Sequence, residues 1–289
     1  MFDLDQLAAF VAIADRGTVT AAALKLHRSQ SAVSRRLALL EDALGAPLFD
    51  RRGVTLALTD VGRAFMPYAE RALAAVADGE RAAGEQRTPG AGSVSLALVG
   101  TLVDAGIASA LAEQQRRSPR MSVLTGTSSE VSRLVRRGEA HLGVRYLADS
   151  DAELVSEPIG VERLCVVKAA TPELRAPMRW IGFPLTRTTK DDFGRLLQRQ
   201  LSAIGERYAD VMTVDSLSAQ KRLVEVGLGI ALLPLRSVQD ELQRGSLVLA
   251  DMPAMATTIP VCLVFRQNGY LSPAARELAA LLGRAFAPG

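Results

Sequence analysis

The sequence predicts an α/β chain in two parts: a mainly helical N-terminal unit ending in a long helix, then a unit of alternating strands and helices. Three observations predict it. Apolar residues recur at helical spacing through most of the first 86 positions. The stretch "RTPGAGS" (87–93) then supplies proline, glycine and small polar residues, the composition of a linker. From Ser93 onward, short apolar runs of strand length alternate with helical stretches.

The elements follow in order. "LDQLAAFVAIAD" (4–15) places Leu4, Leu7, Ala8, Val11 and Ala14 at helical spacing, and Gly17 closes that helix. Thr18 or Thr20 can cap a second helix running to about Leu26. Ser29 is a good cap for a third, on which Val33, Leu37, Leu40 and Leu44 fall on one side. Gln30, Ser31, Ser34 and Arg35 fall on the other side, and Gly45 ends the helix. In "APLFDRRGVTLALTDVG", Leu48 and Phe49 read as buried, and Val54, Leu56 and Leu58 alternate with Thr55 and Ala57. That pattern predicts a two-stranded ribbon turning near Arg52 and Gly53. Thr59 resembles the cap of a long helix to about Gln86. Its apolar positions Val61, Phe65, Tyr68, Ala72 and Ala75 step by four and three, the seam of a coiled coil.

In the second part, "VSLALVG", "MSVLTG", "AHLGVRY" and "RLCVVKA" read as strands, with helices at 104–117 and 129–138 between the first three. A second set follows: "MRWIGF", "VMTVD", "GIALLP" and "SLVLA", with helices near 191–204, 216–227 and 235–244. "IPVCLVFR" is a late strand and 272–286 a last helix. The pattern predicts βαβ units and a parallel sheet.

Composition narrows the function. The chain has 289 residues, 48% hydrophobic and 22% charged, as globular proteins have. The net charge of +3 is too small to argue for nucleic acid by itself, so charge placement must carry that argument. Cys165 and Cys262 sit in separate apolar runs with no C-x-x-C spacing and no histidine cluster, which gives neither a disulfide framework nor a metal site. The start "MFDLDQ" is acidic and unlike an export signal, and no run approaches the ~18 apolar residues of a membrane span. A cytoplasmic protein without membrane attachment is expected.

Two helices joined by a tight turn, the second with a short polar front, make a helix-turn-helix. The DNA major groove admits one helix and offers acceptors on guanine and donor–acceptor pairs on adenine. Gln30 suits an adenine edge and Arg35 a guanine or phosphate; Ser31 and Ser34 are short enough for close approach. The hydroxyls, Ser29 included, and the amides of the helix start suit phosphates. Arg36 adds charge to this front, and Arg51 and Arg52 at the ribbon tip suit a backbone or minor-groove contact. Between residues 16 and 52 there are seven basic residues against three acidic ones, a local excess larger than that of the whole chain.

"AAALKLHRSQSAVSRRLALLEDALGAPLFDRR" followed by "LTDVG" closely resembles the N-terminal segment of LysR-type transcriptional regulators, over residues 2 to about 87. The rest is similar to the effector domain of that family, through "SLALVGT", "TGTSSEVSRLVRRGEAHLGVRY" and "VDSLSAQKRLVEVGLGIALLP". The resemblance implies a winged helix-turn-helix at 1–60 and a dimerising linker helix at 61–87, with Val61, Phe65, Tyr68 and Ala72 at its seam. A hinge at 88–93 and a two-lobed, periplasmic-binding-protein-like effector domain at 94–289 follow. Lobe I would be about 94–163 with 267–289, and lobe II about 168–262. Implied partners are an interrupted palindromic DNA operator, a small-molecule effector and further copies of the chain, as homodimer or homotetramer; no cofactor is implied. Three places depart from the family pattern: Ser31 stands where proline is more usual, the wing carries Gly53-Val54 where relatives often place more arginines, and His141 stands where aspartate is common.

Ligands of open parallel sheets sit beyond the carboxyl ends of strands. That rule selects Thr101, then Thr127, Ser128 and Ser129 at a helix start, Arg145 and Tyr146 at the third strand's end, Phe183, Pro184 and Thr186, and Ser216. The resemblance points to Thr101, Ser128 and the 183–186 loop among these. Helix-start hydroxyls and amides, with Arg145 as the neutralising cation, suit a small organic anion. The rival reading is an enzyme, or a solute-binding protein with a helical cap. It finds two histidines, no G-x-S-x-G elbow, no phosphate loop and no export signal.

Overall fold

The computed structural model describes residues 2–50, 56–87, 93–117, 120–171, 179–185 and 193–286; the side chains of Asp104 and Ala105 are not described. The chain divides into two units, Met1–Arg87 with Arg136–Glu139, and Thr88–Val135 with Ala140–Gly289.

The first unit opens with α1 (Leu4–Arg16), α2 (Val19–Leu26) and α3 (Gln30–Leu44), and each start and stop has a local cause. Asp3 and Gln6 form a reciprocal capping box: Gln6 N–H donates to Asp3 Oδ1 at 2.8 Å and Asp3 N–H to Gln6 Oε1 at 3.1 Å. Thr18 Oγ1 accepts from Ala21 N, and Ser29 Oγ from Ala32 N, both at 3.2 Å. Gly17, His27 and Gly45 end the three helices in left-handed conformations, with His27 at φ 52°. The stop at His27 and the serine cap two residues later make the tight turn.

The buried face of α1 differs from the expected stripe. Leu4 is 44% exposed, whereas Phe10 and Ile13, outside that stripe, are fully buried. Helices α2 and α3 and the next strands pack around Phe10, which widens the face. A fully buried side chain of this size contributes about 1.5–3 kcal/mol.

Strands β1 (Phe49–Asp50) and β2 (Ala57–Leu58) pair antiparallel, Phe49 opposite Leu58. The expected turn at Arg52 and Gly53 lies outside the described residues. The 28-residue α4 (Asp60–Arg87) follows, with Thr59 Oγ1 accepting from Gly62 N at 3.0 Å. A Cβ at Gly62 would lie 2.2 Å from the Leu48 carbonyl oxygen, so glycine lets α4 seat against the ribbon.

The second unit contains β3 (Val94–Val99), α5 (Ala108–Arg117), β4 (Met121–Gly126), α6 (Ser128–Arg136), β5 (Leu142–Tyr146) and the long β6 (Leu154–Ala169). It continues with β7 (Trp180–Gly182), α7 (Phe193–Ala203), β8 (Met212–Thr213), α8 (Leu217–Glu225), β9 (Ile230–Pro234) and α9 (Gln239–Arg244). Strands β10 (Leu247–Leu249) and β11 (Thr257–Arg266) and helix α10 (Pro273–Ala285) complete it.

The expected parallel sheet is instead mixed. Its order is β4-β3-β5-β11-β6-β9-β7-β8, with β10 also paired to β6. Two parallel triplets, β4-β3-β5 and β9-β7-β8, make the two lobes. Between them β11 and β6 run antiparallel to each other, and each is antiparallel to the triplet beside it. The chain crosses from one lobe to the other on β6 and returns on β11.

The first half of β6 escaped the sequence reading, which began this strand at Arg163. Pro158, Glu157 and Glu162 interrupt any apolar alternation there. Pro158 is tolerated because the ladder breaks beside it: Val261 faces Gly160 while Cys262 faces Pro158, leaving Ile159 as a bulge.

Candidate functional site

Two surfaces hold most of the candidate residues. On α3, Val33, Leu37 and Leu40 are at most 4% exposed, so their side of the helix is fixed against α1 and α2. The opposite side carries Ser29, Gln30, Ser31, Ser34 and Arg35, all exposed. The structure therefore brings five of the eight expected DNA-facing residues onto one polar face. Ser31 hydrogen-bonds to Ser29, Oγ to Oγ at 3.0 Å, so serine supports this helix start where proline is more usual. Arg36 is turned aside: its Nη2 donates to Asp5 Oδ2 of α1 at 2.5 Å. Arg51 and Arg52 lie outside the described residues.

The expected seam on α4 is split. Val61 and Tyr68 are exposed, at 45% and 63%, and Arg71 stacks over the Tyr68 ring at 4.4 Å. Phe65 and Ala72 instead pack on the unit's own core, Phe65 lying 5.7 Å from Phe10 and 5.8 Å from Phe2, ring to ring. The four-three spacing of the sequence mixes two helix faces because the first turns of α4 serve as a wall of the helical core.

The second surface is a cavity of about 530 Å³ in the second unit. One lobe supplies Val99, Gly100 and Thr101 at the end of β3, Thr125 to Glu130 around the end of β4, and Tyr146 and Leu147 at the end of β5. The other supplies Phe183, Pro184, Phe193, Asp215, Leu217, Ser218 and Pro234. Its strand-derived walls are the carboxyl ends of both parallel triplets, where open α/β sheets bind ligands.

Of the expected cleft residues, Thr101, Thr127, Ser128, Ser129 and Phe183 line this cavity. Thr186 lies outside the described residues. Ser216 is the cap of α8, its Oγ accepting from Ala219 N at 3.4 Å, and its neighbours Asp215 and Leu217 line the cavity in its place. Arg145 does not line it. It is 4% exposed, with Nη1 donating to Ser132 Oγ at 2.8 Å and to Asp149, and Nε donating to the Tyr146 carbonyl at 3.2 Å. Successive side chains of a strand point to opposite faces, so Arg145 and Tyr146 cannot both face the cleft; Tyr146 does.

The cleft chemistry is local and specific. Thr101 Oγ1 and Tyr146 Oη are 3.1 Å apart. Burial pushes the Tyr146 phenol well above its ordinary value, against the lowering effect of the Thr101 bond, so it stays a neutral O–H. Three rings adjoin: Tyr146 meets Phe193 edge-on at 5.1 Å, and Phe193 meets Phe183 at 5.5 Å. At the start of α6, Thr127 N–H donates to Glu130 Oε2 at 2.8 Å and Glu130 N–H to Thr127 Oγ1 at 3.3 Å. Ser128 and Ser129 are the first two residues of that helix, where amides precede the first intrahelical bond.

Sequence reasoning passed over Glu130, Phe193, Asp215 and Ser218. Phe193 and Ser218 sit inside the first turns of helices, and nothing local marks them as facing a cavity. Glu130 has a readable signal, since Thr127-x-x-Glu130 is a capping box. His141 accepts Ser95 N–H on Nδ1 at 2.9 Å, the hydrogen bond a carboxylate would accept there. Burial pushes the Cys165 thiol up to about 11, and the nearby Glu162 adds to this. Among the described residues no helix is long and apolar enough to cross a membrane.

Comparison with known proteins covers both units. Residues 4–63 match the model of the bacterial regulatory helix-turn-helix proteins of the lysR family, and residues 87–287 match the LysR substrate binding domain. The chain is 28% identical over 274 residues to the uncharacterised HTH-type transcriptional regulator YusT of Bacillus subtilis, covering 93% of this chain and 92% of that one. Among solved structures, the LysR family regulator CbnR is similar with a TM-score of 0.64 at 20% identity, over 99% of this chain and 100% of its own. CbnR complexed with its target DNA gives 0.60 at 20% identity, over 98% and 100%. Full-length LysG of Corynebacterium glutamicum, with its effector Arg bound, gives 0.57 at 19% identity, over 98% and 98%. The mixed α/β sensor architecture behind a helix-turn-helix is therefore a known one, and the chain belongs to the LysR family of bacterial transcriptional regulators.

Proposed function

We propose that this regulator reads an interrupted palindromic operator through α3, self-associates through the exposed side of α4, and answers to a small organic acid bound in the cleft. The observation that carries the proposal is the cleft itself: a cavity of about 530 Å³ in which Thr101, Thr127, Ser128 and Ser129 of one lobe face Phe183 of the other. Hydroxyls and helix-start amides suit a carboxylate, and the rings suit an apolar body. CbnR has been solved on its target DNA and LysG with an effector bound, which supports the same division of labour here. An effector shifts the regulator only so far as it binds one arrangement of the lobes better than another.

The test is a fluorescence-anisotropy titration of the full-length protein on DNA from its own promoter region, repeated with a panel of small carboxylic acids. Salt-dependent, saturable binding to that DNA, altered by at least one acid, is the expected result. Binding indistinguishable from that to unrelated DNA, or indifference to every acid, overturns the corresponding half of the proposal.

A further inference from the structure

Resting on the reading of the cleft as the effector site, we infer that the effector also carries a positively charged nitrogen, as an amino acid does, and that Asp215 is its counter-charge. Among the described residues lining the cavity, the charged side chains are Glu130 and Asp215, one from each lobe. Arg145, the cation expected to neutralise an anion, is buried beneath the wall with Asp149 and Ser132. Glu130 is itself seated at the start of α6, its Oε2 accepting the Thr127 amide at 2.8 Å. On the described lining a ligand with only negative charge meets two carboxylates, and the Thr127 amide beside them is already taken by Glu130.

The rings that suit an apolar body also suit a cation. Tyr146, Phe193 and Phe183 form a chain of contacts at 5.1 Å and 5.5 Å, and all three line the cavity. Aromatic faces attract ammonium and guanidinium groups, and more strongly where water is excluded. Asp215 immediately precedes the Ser216 cap of α8 and is exposed, so its carboxylate is open to a ligand amine. The amides of Ser128 and Ser129 and the hydroxyl of Thr101 remain for the carboxylate. A zwitterion with an apolar or aromatic body satisfies both ends, and the volume of about 530 Å³ admits one.

The experiment uses matched triads on the full-length protein, by isothermal titration calorimetry: phenylalanine, 2-phenylethylamine and 3-phenylpropanoate, and the corresponding amino acid, amine and acid of the leucine skeleton. In at least one triad the amino acid should bind, with the amine-free acid at least tenfold weaker. Asp215→Asn should erase that difference while leaving the affinity of the amine-free acid unchanged or improved. Amine-free acids that bind as tightly as the amino acids overturn the inference but leave the organic-acid reading standing. No binding by any member of any triad overturns both. The wild-type triads decide the matter by themselves should the Asp215→Asn protein not fold.

Discussion

Thr101 Oγ1 lies 3.1 Å from Tyr146 Oη, so one hydroxyl pair joins the end of β3 to the end of β5 on the cleft wall. Thr101→Val keeps the shape and leaves the buried phenol without this partner, a loss of about 1–3 kcal/mol where a ligand relies on the pair. The effector dose–response should move to roughly tenfold higher concentration, the equivalent of ~1.4 kcal/mol, with operator affinity unchanged. Tyr146→Phe in the same background should add little, because it removes the same bond from the other side. An unaltered dose–response in Thr101→Val removes this pair from effector binding.

Arg35 and Arg36 are adjacent in sequence and differ in fate. Arg35→Ala should weaken specific operator binding by about 1–3 kcal/mol if it reads a base, and relax preference at one operator position. Arg36→Ala breaks the 2.5 Å pair with Asp5 and should lower thermal stability by less than about 1 kcal/mol, with operator preference intact. Anisotropy on operator variants and a melting curve separate the two.

Phe65 and Tyr68 separate folding from assembly on α4. Phe65 is half-buried, so Phe65→Asp puts a charge against Phe10 and Phe2 and should destabilise the N-terminal unit by up to the ~3–5 kcal/mol of a buried aromatic truncation. Tyr68→Asp, at a side chain 63% exposed, should leave the melting temperature within a few degrees and reduce self-association. Sedimentation velocity showing an undiminished oligomer in Tyr68→Asp would place the contact elsewhere on the helix.

Cys165 provides a pH test. Its thiol is held up to about 11 by burial and by Glu162, so at neutral pH the thiolate is scarce. Alkylation of the native protein at this site should be slow at pH 7, accelerate about tenfold per pH unit on the way to that value, and become fast at pH 7 once the protein is denatured. Mass spectrometry after timed iodoacetamide pulses reads this directly. Rapid labelling of the folded protein at pH 7 contradicts the burial argument.

The sequence carried what is set within a few residues. Ser29, Gly45 and the apolar back of α3 mark that helix because caps and periodicity are local properties. The strand-end rule placed Thr101 and Ser128 beside the cleft because the ends of the first two strands are readable from composition. It could not choose between Arg145 and Tyr146, since the choice depends on which strand face meets the other lobe, and Asp149 claims Arg145 through a fold in the chain. The same limit hid the first half of β6: its partner, β11, is about a hundred residues away, and its residues show no alternation without that partner. On α4 the spacing of Phe65 and Tyr68 suited a coiled coil, yet the packing of Phe65 on Phe10 is a tertiary contact that no periodicity records.

Among the described residues the chain passes between the two lobes on two strands that are themselves zipped together, β6 against β11 from Leu154 to Leu164. Neither tether can lengthen, and neither can slip past the other without breaking a shared ladder. The ladder of this narrow ribbon is interrupted once, at the extra residue Ile159. A ligand that drew the lobes together would have to twist that ribbon, and part of its binding energy would go into the twist.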